Sequence, residues 1–146
     1  MKKLIIASVL AITVITSAFA SKETLNFKGA DKFVAAYPTA LKVNYKVTKD
    51  YTEVNFIADG DVMQSFYSAD GNLIATSRHI ALRTLPVKAL DKIQQKYEGY
   101  TITEAIELQH EDSGLNYYVS LAGKDRKVIL EITPSGNVSV FKSERK

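Results

Sequence analysis

The stretch DKFVAAYPTALKV that begins at Asp31 returns as DKIQQKYEGYTIT at Asp91, so the chain is expected to fold as two related halves. Setting Asp31 on Asp91 is an offset of 60. It brings Phe27 onto Val87, Ala30 onto Leu90, Phe33 onto Ile93 and Tyr37 onto Tyr97. These positions are three or four residues apart, which is the spacing of one apolar stripe on an amphipathic helix. Pro38 ends the first helix. Pro86 suits the first turn of the second, where its missing N–H has no helical partner, and Gly99 suits its C-terminal end.

After each helix the period changes from 3.6 to two. LKVNYKV alternates Leu41, Val43, Tyr45 and Val47 with Lys42, Asn44 and Lys46, as a half-buried strand does. TEVNF, MQSFY and NLIATS follow, parted by turns at Asp59-Gly60-Asp61 and Asp70-Gly71-Asn72. The second half repeats the order with YTITEAIEL, NYYVSL, VILEI and NVSVF. Its first hairpin is longer, so from the second strand onward the offset is 65. Val54 then meets Val119, Phe56 meets Leu121, Gly71 meets Gly136 and Leu73 meets Val138. The expected fold is α+β, with two tandem repeats of one helix and a four-stranded antiparallel meander. Both helices are expected on one face of a shared sheet. A half of about 60 residues is marginal alone, so residues 21–79 and 80–146 are expected to form one compact unit.

Residues 1–20 read as an export signal, to be removed after Ala20. Lys2 and Lys3 form a basic start, Leu4 to Ile15 an apolar run, and Ala18-Phe19-Ala20 a small-x-small cleavage site. That apolar run is short of the roughly 20 residues that span a bilayer, so no stable membrane anchor is expected. Losing Lys2 and Lys3 takes the formal charge from +3 to +1, which leaves no polycationic surface for nucleic acid. The chain has no cysteine, so neither disulfides nor a lipidated cysteine enter the account. The expected location is the periplasm or the medium outside the cell.

Taken together, a first helix ending in AYP, then YSADGNLIATS, LPVKALDKIQQKYEGYTI and YYVSL, form a recognisable order. Leu85-Pro86, Ile93 with Tyr97, Gly99 and Tyr100, and Asp70-Gly71 are its most specific pieces. The chain from about Phe27 to Phe141 resembles the PepSY-like, β-lactamase-inhibitor-protein-like family of exported bacterial proteins. The resemblance implies a tandem α/β fold with helices on one sheet face and a free, often concave, opposite face. The better known relatives are non-enzymatic and bind proteins with that face. Tyr45 stands where many members carry a first-strand tryptophan, so no inhibitor-type contact residue is carried over.

Catalytic and metal chemistry find little support. There is no G-x-S-x-G turn for a serine nucleophile. His79 and His110 are the only histidines, and the connection and hairpin that hold them are sufficient reasons for both. His110-Glu111-Asp112 places three ligand types in a row, but neighbours on a tight turn do not converge on one ion. Asp59-Gly60-Asp61 lacks the spaced ligands and closing glutamate of a calcium loop. No catalytic residue, metal ligand or cofactor is assigned.

The sheet itself is more informative. With Val54, Phe56, Val119, Leu121, Val128, Leu130, Ile132, Val138 and Val140 toward the helices, alternation sends Phe66, Ile74, Tyr118, Ile129 and Phe141 to the other side. Glu53, Asn55, Gln64, Glu131 and Ser139 accompany them. A merely solvated face is more uniformly polar, and this mixture has the make-up of a binding surface. The expected function is therefore an exported, non-enzymatic binding module, inhibitor-like in kind. It would hold a protein or peptide of the cell envelope on Tyr118, Ile129, Phe141, Phe66 and Ile74. The alternatives are a homodimer scaffold closed by the same face, and a metal or small-ligand carrier.

Overall fold

A computed structural model describes residues 25–146, and the export signal expected over residues 1–20 lies outside them. The element order is α1 (Ala30–Ala36), β1 (Leu41–Val47), β2 (Tyr51–Ala58), β3 (Asp61–Ser68) and β4 (Leu73–His79). A 3₁₀ turn (Leu82–Thr84) leads to α2 (Val87–Lys96), β5 (Thr101–His110), β6 (Gly114–Ala122), β7 (Arg126–Ile132) and β8 (Val138–Arg145). The eight antiparallel strands follow one another in chain order, giving an α+β fold. By packing, residues 79–109 and 113–146 form one unit, and the preceding residues with His110–Asp112 form the other.

In the first unit, β2 is buried at every second residue, with Thr52, Val54, Phe56 and Ala58 turned inward. Its register pairs Val54 with Ser65 and Phe56 with Met63 on β3, and Tyr45 of β1 with Val54. Phe33 is the buried residue of α1. Its ring meets Phe56 edge-on at 4.9 Å, and the Tyr37 ring lies tilted at 4.5 Å from the same phenylalanine. Aromatic pairs at such distances add about 0.5–1.5 kcal/mol to the burial itself.

The helical stripe is shorter than the sequence spacing suggests. Gly29 takes φ 97, a left-handed conformation that stops the helix from extending backward, so Phe27 precedes α1. It reaches the core from irregular backbone, 5.2 Å from the Tyr45 ring and 5.7 Å from the Tyr67 ring. Val87 opens α2 but is 73% exposed, because Leu85, Ala89 and Ile93 take the inward places beside Val119, Leu121, Leu130 and Ile132. Pro86 sits at the N-cap of α2, one place before its expected position.

Similar hydrogen bonds recur at both offsets. Tyr37 N–H donates to Phe33 C=O (2.8 Å) and Ala40 N–H to Tyr37 C=O (3.1 Å); sixty residues on, Tyr97 donates to Ile93 (2.9 Å) and Tyr100 to Tyr97 (3.0 Å). In the β3–β4 turn, Gly71 N–H donates to Ser68 C=O and Asn72 N–H to Ser68 Oγ. Gly136 and Asn137 do the same with Thr133, sixty-five residues on. Each turn glycine lies against the start of its unit's helix, Gly71 beside Lys28 and Gly29, Gly136 beside Pro86 and Lys88.

Alternation breaks at bulges in β1, β4 and β8. In β1 the register shifts between Leu41 and Asn44, around Lys42 at φ 51. In β4 Ile74 is skipped, with Leu73 opposite Tyr67 and Ala75 opposite Phe66. In β8 Phe141 is skipped, with Val140 opposite Leu130 and Lys142 opposite Ile129.

The turn glycines separate strain from steric conflict. A Cβ on Gly71 would lie 2.7 Å from the Gly29 nitrogen, whereas one on Gly60, at nearly the same φ, would meet nothing within 4 Å. Gly60→Ala should therefore cost about 1 kcal/mol of conformational strain, and Gly71→Ala clearly more. Urea denaturation of both variants checks this, and equal losses would contradict the packing of turn on helix.

Candidate functional site

In each unit the helix covers one side of the strands, and the cross-strand register defines rows of side chains on the other. In the second unit one row runs Tyr118, Glu131, Ser139, and the next runs Ser120, Ile129, Lys142. In the first unit the rows are Lys46, Glu53, Phe66, Ala75 and Asn44, Asn55, Gln64, Ser77.

The second-unit rows are tied together. Tyr118 donates its hydroxyl to Glu131 Oε1 at 2.8 Å, and Asn116 Nδ2 donates to the same oxygen at 3.1 Å. Phe141 meets the Tyr118 ring edge-on at 5.5 Å. Burial, helped by the nearby Glu131 carboxylate, raises the Tyr118 hydroxyl well above the ordinary tyrosine range. Tyr118 is therefore a hydrogen-bond donor that holds a carboxylate in place, with no role as a base. Among the residues expected at the site, this brings Tyr118 and Phe141 into contact, and Ile129 lies half-buried one row along.

In the first unit Phe66 is fully buried, with the Tyr51 ring at 6.0 Å. Ile74 is half-buried at the β4 bulge, where alternation no longer assigns it to a face. Depth is the property that alternation does not report. Phe66 and Tyr118 are 0% and 3% exposed, while Ile74, Ile129 and Phe141 are accessible in part. Beside Phe66, Glu53 Oε1 accepts from Asn55 Nδ2 (3.0 Å) and from Gln64 Nε2 (3.2 Å), and Gln64 Nε2 also reaches Asn55 Oδ1 (2.5 Å).

His79 Nε2 stands 3.3 Å from Glu104 Oε1 in the second unit. Burial lifts Glu104 to about 7 and lowers His79, so desolvation favours the uncharged form of both. Glu104 and Asn116 carry no local signature in the chain, because each acquires its role only through a partner on another strand. His110 is explained locally, since its Nδ1 accepts the Asp112 N–H at 3.1 Å within the turn. Asp61, from the Asp-Gly-Asp turn, lies 3.5 Å from Arg78. Among the described residues no cluster of three or more His, Asp or Glu is disposed to hold a metal, and no helix is long and apolar enough to cross a membrane. A groove of about 420 Å³ runs between α2 and β8, lined by Lys92, Lys96, Tyr97, Val138 and Val140 among others.

Solved structures share this fold. A BLIP-like protein from Bacteroides fragilis matches with a TM-score of 0.68 and 17% identity, over 83% of this chain and 87% of that one. A protein of Bacteroides eggerthii, provisionally assigned to the periplasm, matches at 0.73 and 13%, over 84% and 90%. A DUF2874 family protein from Bacteroides uniformis matches at 0.71 and 14%, over 83% and 89%. At these identities the likeness is one of fold, which is BLIP-like. No protein-family profile matches the sequence, and no curated protein does.

The raised Glu104 has a signed consequence. Its carboxyl binds a proton more tightly folded than unfolded, so its contribution to stability is full below about pH 4.5 and is lost as pH rises to about 7. Glu104→Gln should accordingly gain stability over the parent at pH 8 and match it near pH 4.5. Urea denaturation at the two pH values checks this, and a gain at pH 4.5 alone would reverse the assignment.

Proposed function

We propose that the protein is an exported, non-enzymatic binding module that holds a protein or peptide of the cell envelope against strands on the side that their own unit's helix leaves uncovered. One observation carries the reading. Glu131 is held by Tyr118 and Asn116 beside the half-exposed Phe141 and Ile129, which places an oriented carboxylate next to accessible apolar groups. Recognition surfaces combine a few large apolar anchors with fixed polar partners. Phe141 and Ile129 are the contact groups, with Tyr118 beneath them as their support. In the first unit the apolar residues of the proposed surface are Ile74, half-buried, and Phe66, fully buried.

The fold neighbours are consistent with this, since one is named BLIP-like and another is provisionally periplasmic. A tandem duplication accounts for the paired hydrogen bonds of Ser68 to Asn72 and Thr133 to Asn137. Cleavage after Ala20 would release the chain into the periplasm or the medium.

The test begins with capture from the native envelope fraction and identification of the partner by mass spectrometry. The purified partner is then titrated against variants. Phe141→Ala and Ile129→Ala should each weaken binding by more than about 1 kcal/mol while the fold is kept. Wild-type affinity in both folded variants would remove this side of the sheet from consideration.

A further inference from the structure

The Glu53, Asn55 and Gln64 cluster has more acceptors than donors. Both amide nitrogens donate inside it, Asn55 Nδ2 to Glu53 and Gln64 Nε2 to Glu53 and Asn55. Gln64 is 2% exposed, and its Oε1 has no hydrogen-bond partner. A buried carbonyl left this way is a standing cost, because it has given up water and gained nothing in return. Lys46 lies directly across from Glu53 in the register yet remains exposed, and among the described residues no cation pairs with Glu53. The row Asn44, Asn55, Gln64, Ser77 passes from exposed through half-buried to buried, so the cluster has an open rim at β1 and β2 and a closed floor at β3 and β4.

From this arrangement we propose that the cluster is a subsite for an arginine side chain of the bound protein or peptide. The inference rests on the binding role proposed above and specifies its partner as one that presents a basic group. The carboxylate supplies the charge, and Gln64 Oε1 supplies a second, neutral acceptor one strand away. A guanidinium is planar, carries five donors in a fixed fork and can meet both at once, whereas an ammonium is a compact and strongly hydrated point charge. The guanidinium is also the less hydrated cation and so the easier to bring to a half-buried site.

The probe is Nα-acetyl-arginine methylamide, titrated into isotope-labelled protein while the side-chain amide resonances of Asn55 and Gln64 are followed by NMR. Saturable shifts of both amides are expected. The matching lysine derivative should bind at least about ten-fold more weakly, a difference of ~1.4 kcal/mol. Glu53→Gln keeps the shape and removes the charge, and should lose at least the same factor. Gln64→Met serves as the second variant and should lose the preference for arginine over lysine. Equal binding of the two derivatives, no saturable shift in the parent, or an unchanged affinity in Glu53→Gln would overturn the subsite. Loss of the subsite with capture still dependent on Phe141 and Ile129 would leave the binding role standing. Loss of that dependence with arginine still bound would do the reverse.

Discussion

Each helix is held to its strands by very few residues, and the rest of the structure follows from that docking. α1 has seven residues, too few to persist in water by itself, because helix nucleation costs more than so short a segment returns. Phe33, buried against Phe56, holds it in place, and Ala89 and Ile93 do the same for α2. Burying one such large side chain is worth about 1.5–3 kcal/mol. A helix that occupies one side of a meander commits every second strand residue to a core. The alternate residues are then available for another purpose. The turn glycines complete the arrangement, since Gly71 lets the β3–β4 turn approach the start of α1 more closely than a side chain allows, and Gly136 packs tightly against the start of α2.

Much of this was legible in the chain because the two periods are unambiguous. The alternation of Thr52, Val54, Phe56 and Ala58 with Tyr51, Glu53, Asn55 and Ile57 reads directly as the buried and half-buried sides of β2. The turns at Gly60, Gly71 and Gly136 announced themselves by residue type. What was hidden lies where one residue breaks the period. Gly29 removes Phe27 from the helix, and the bulges at Lys42, Ile74 and Phe141 alter register without a glycine or proline to mark them. A bulge that skips one residue turns local alternation over, so sequence periodicity carries no information about Ile74 beyond its neighbourhood. Depth was equally hidden. Tyr118 and Ile129 read alike as off-core positions, yet one is buried under its own ring contact and hydrogen bond while the other is partly accessible.

The outermost strands, β1 and β8, both carry a bulge and basic residues, Lys42 and Lys46 on the first, Lys142 and Arg145 on the second. Bulges and lysines on edge strands discourage pairing with another chain. In each unit the organised polar chemistry lies instead on the side of the strands that its own helix leaves uncovered. In the second unit it offers a carboxylate fixed by a tyrosine and an asparagine, and in the first a carboxylate fixed by two amides. The cross-strand pair Glu53 and Phe66 becomes Tyr118 and Glu131, with acid and aromatic exchanged between neighbouring strands. The two units thus present different patterns of charge and ring.

Recognition is proposed to take place on the side of the strands away from each unit's helix. Site-specific photo-crosslinking in the native envelope tests it most directly, with a photoreactive residue at Ile129 on that side and, separately, at Gln94 on the exposed surface of α2. Position 129 should crosslink to a discrete partner and position 94 should not. A discrete crosslink from position 94, with none from position 129, would contradict it.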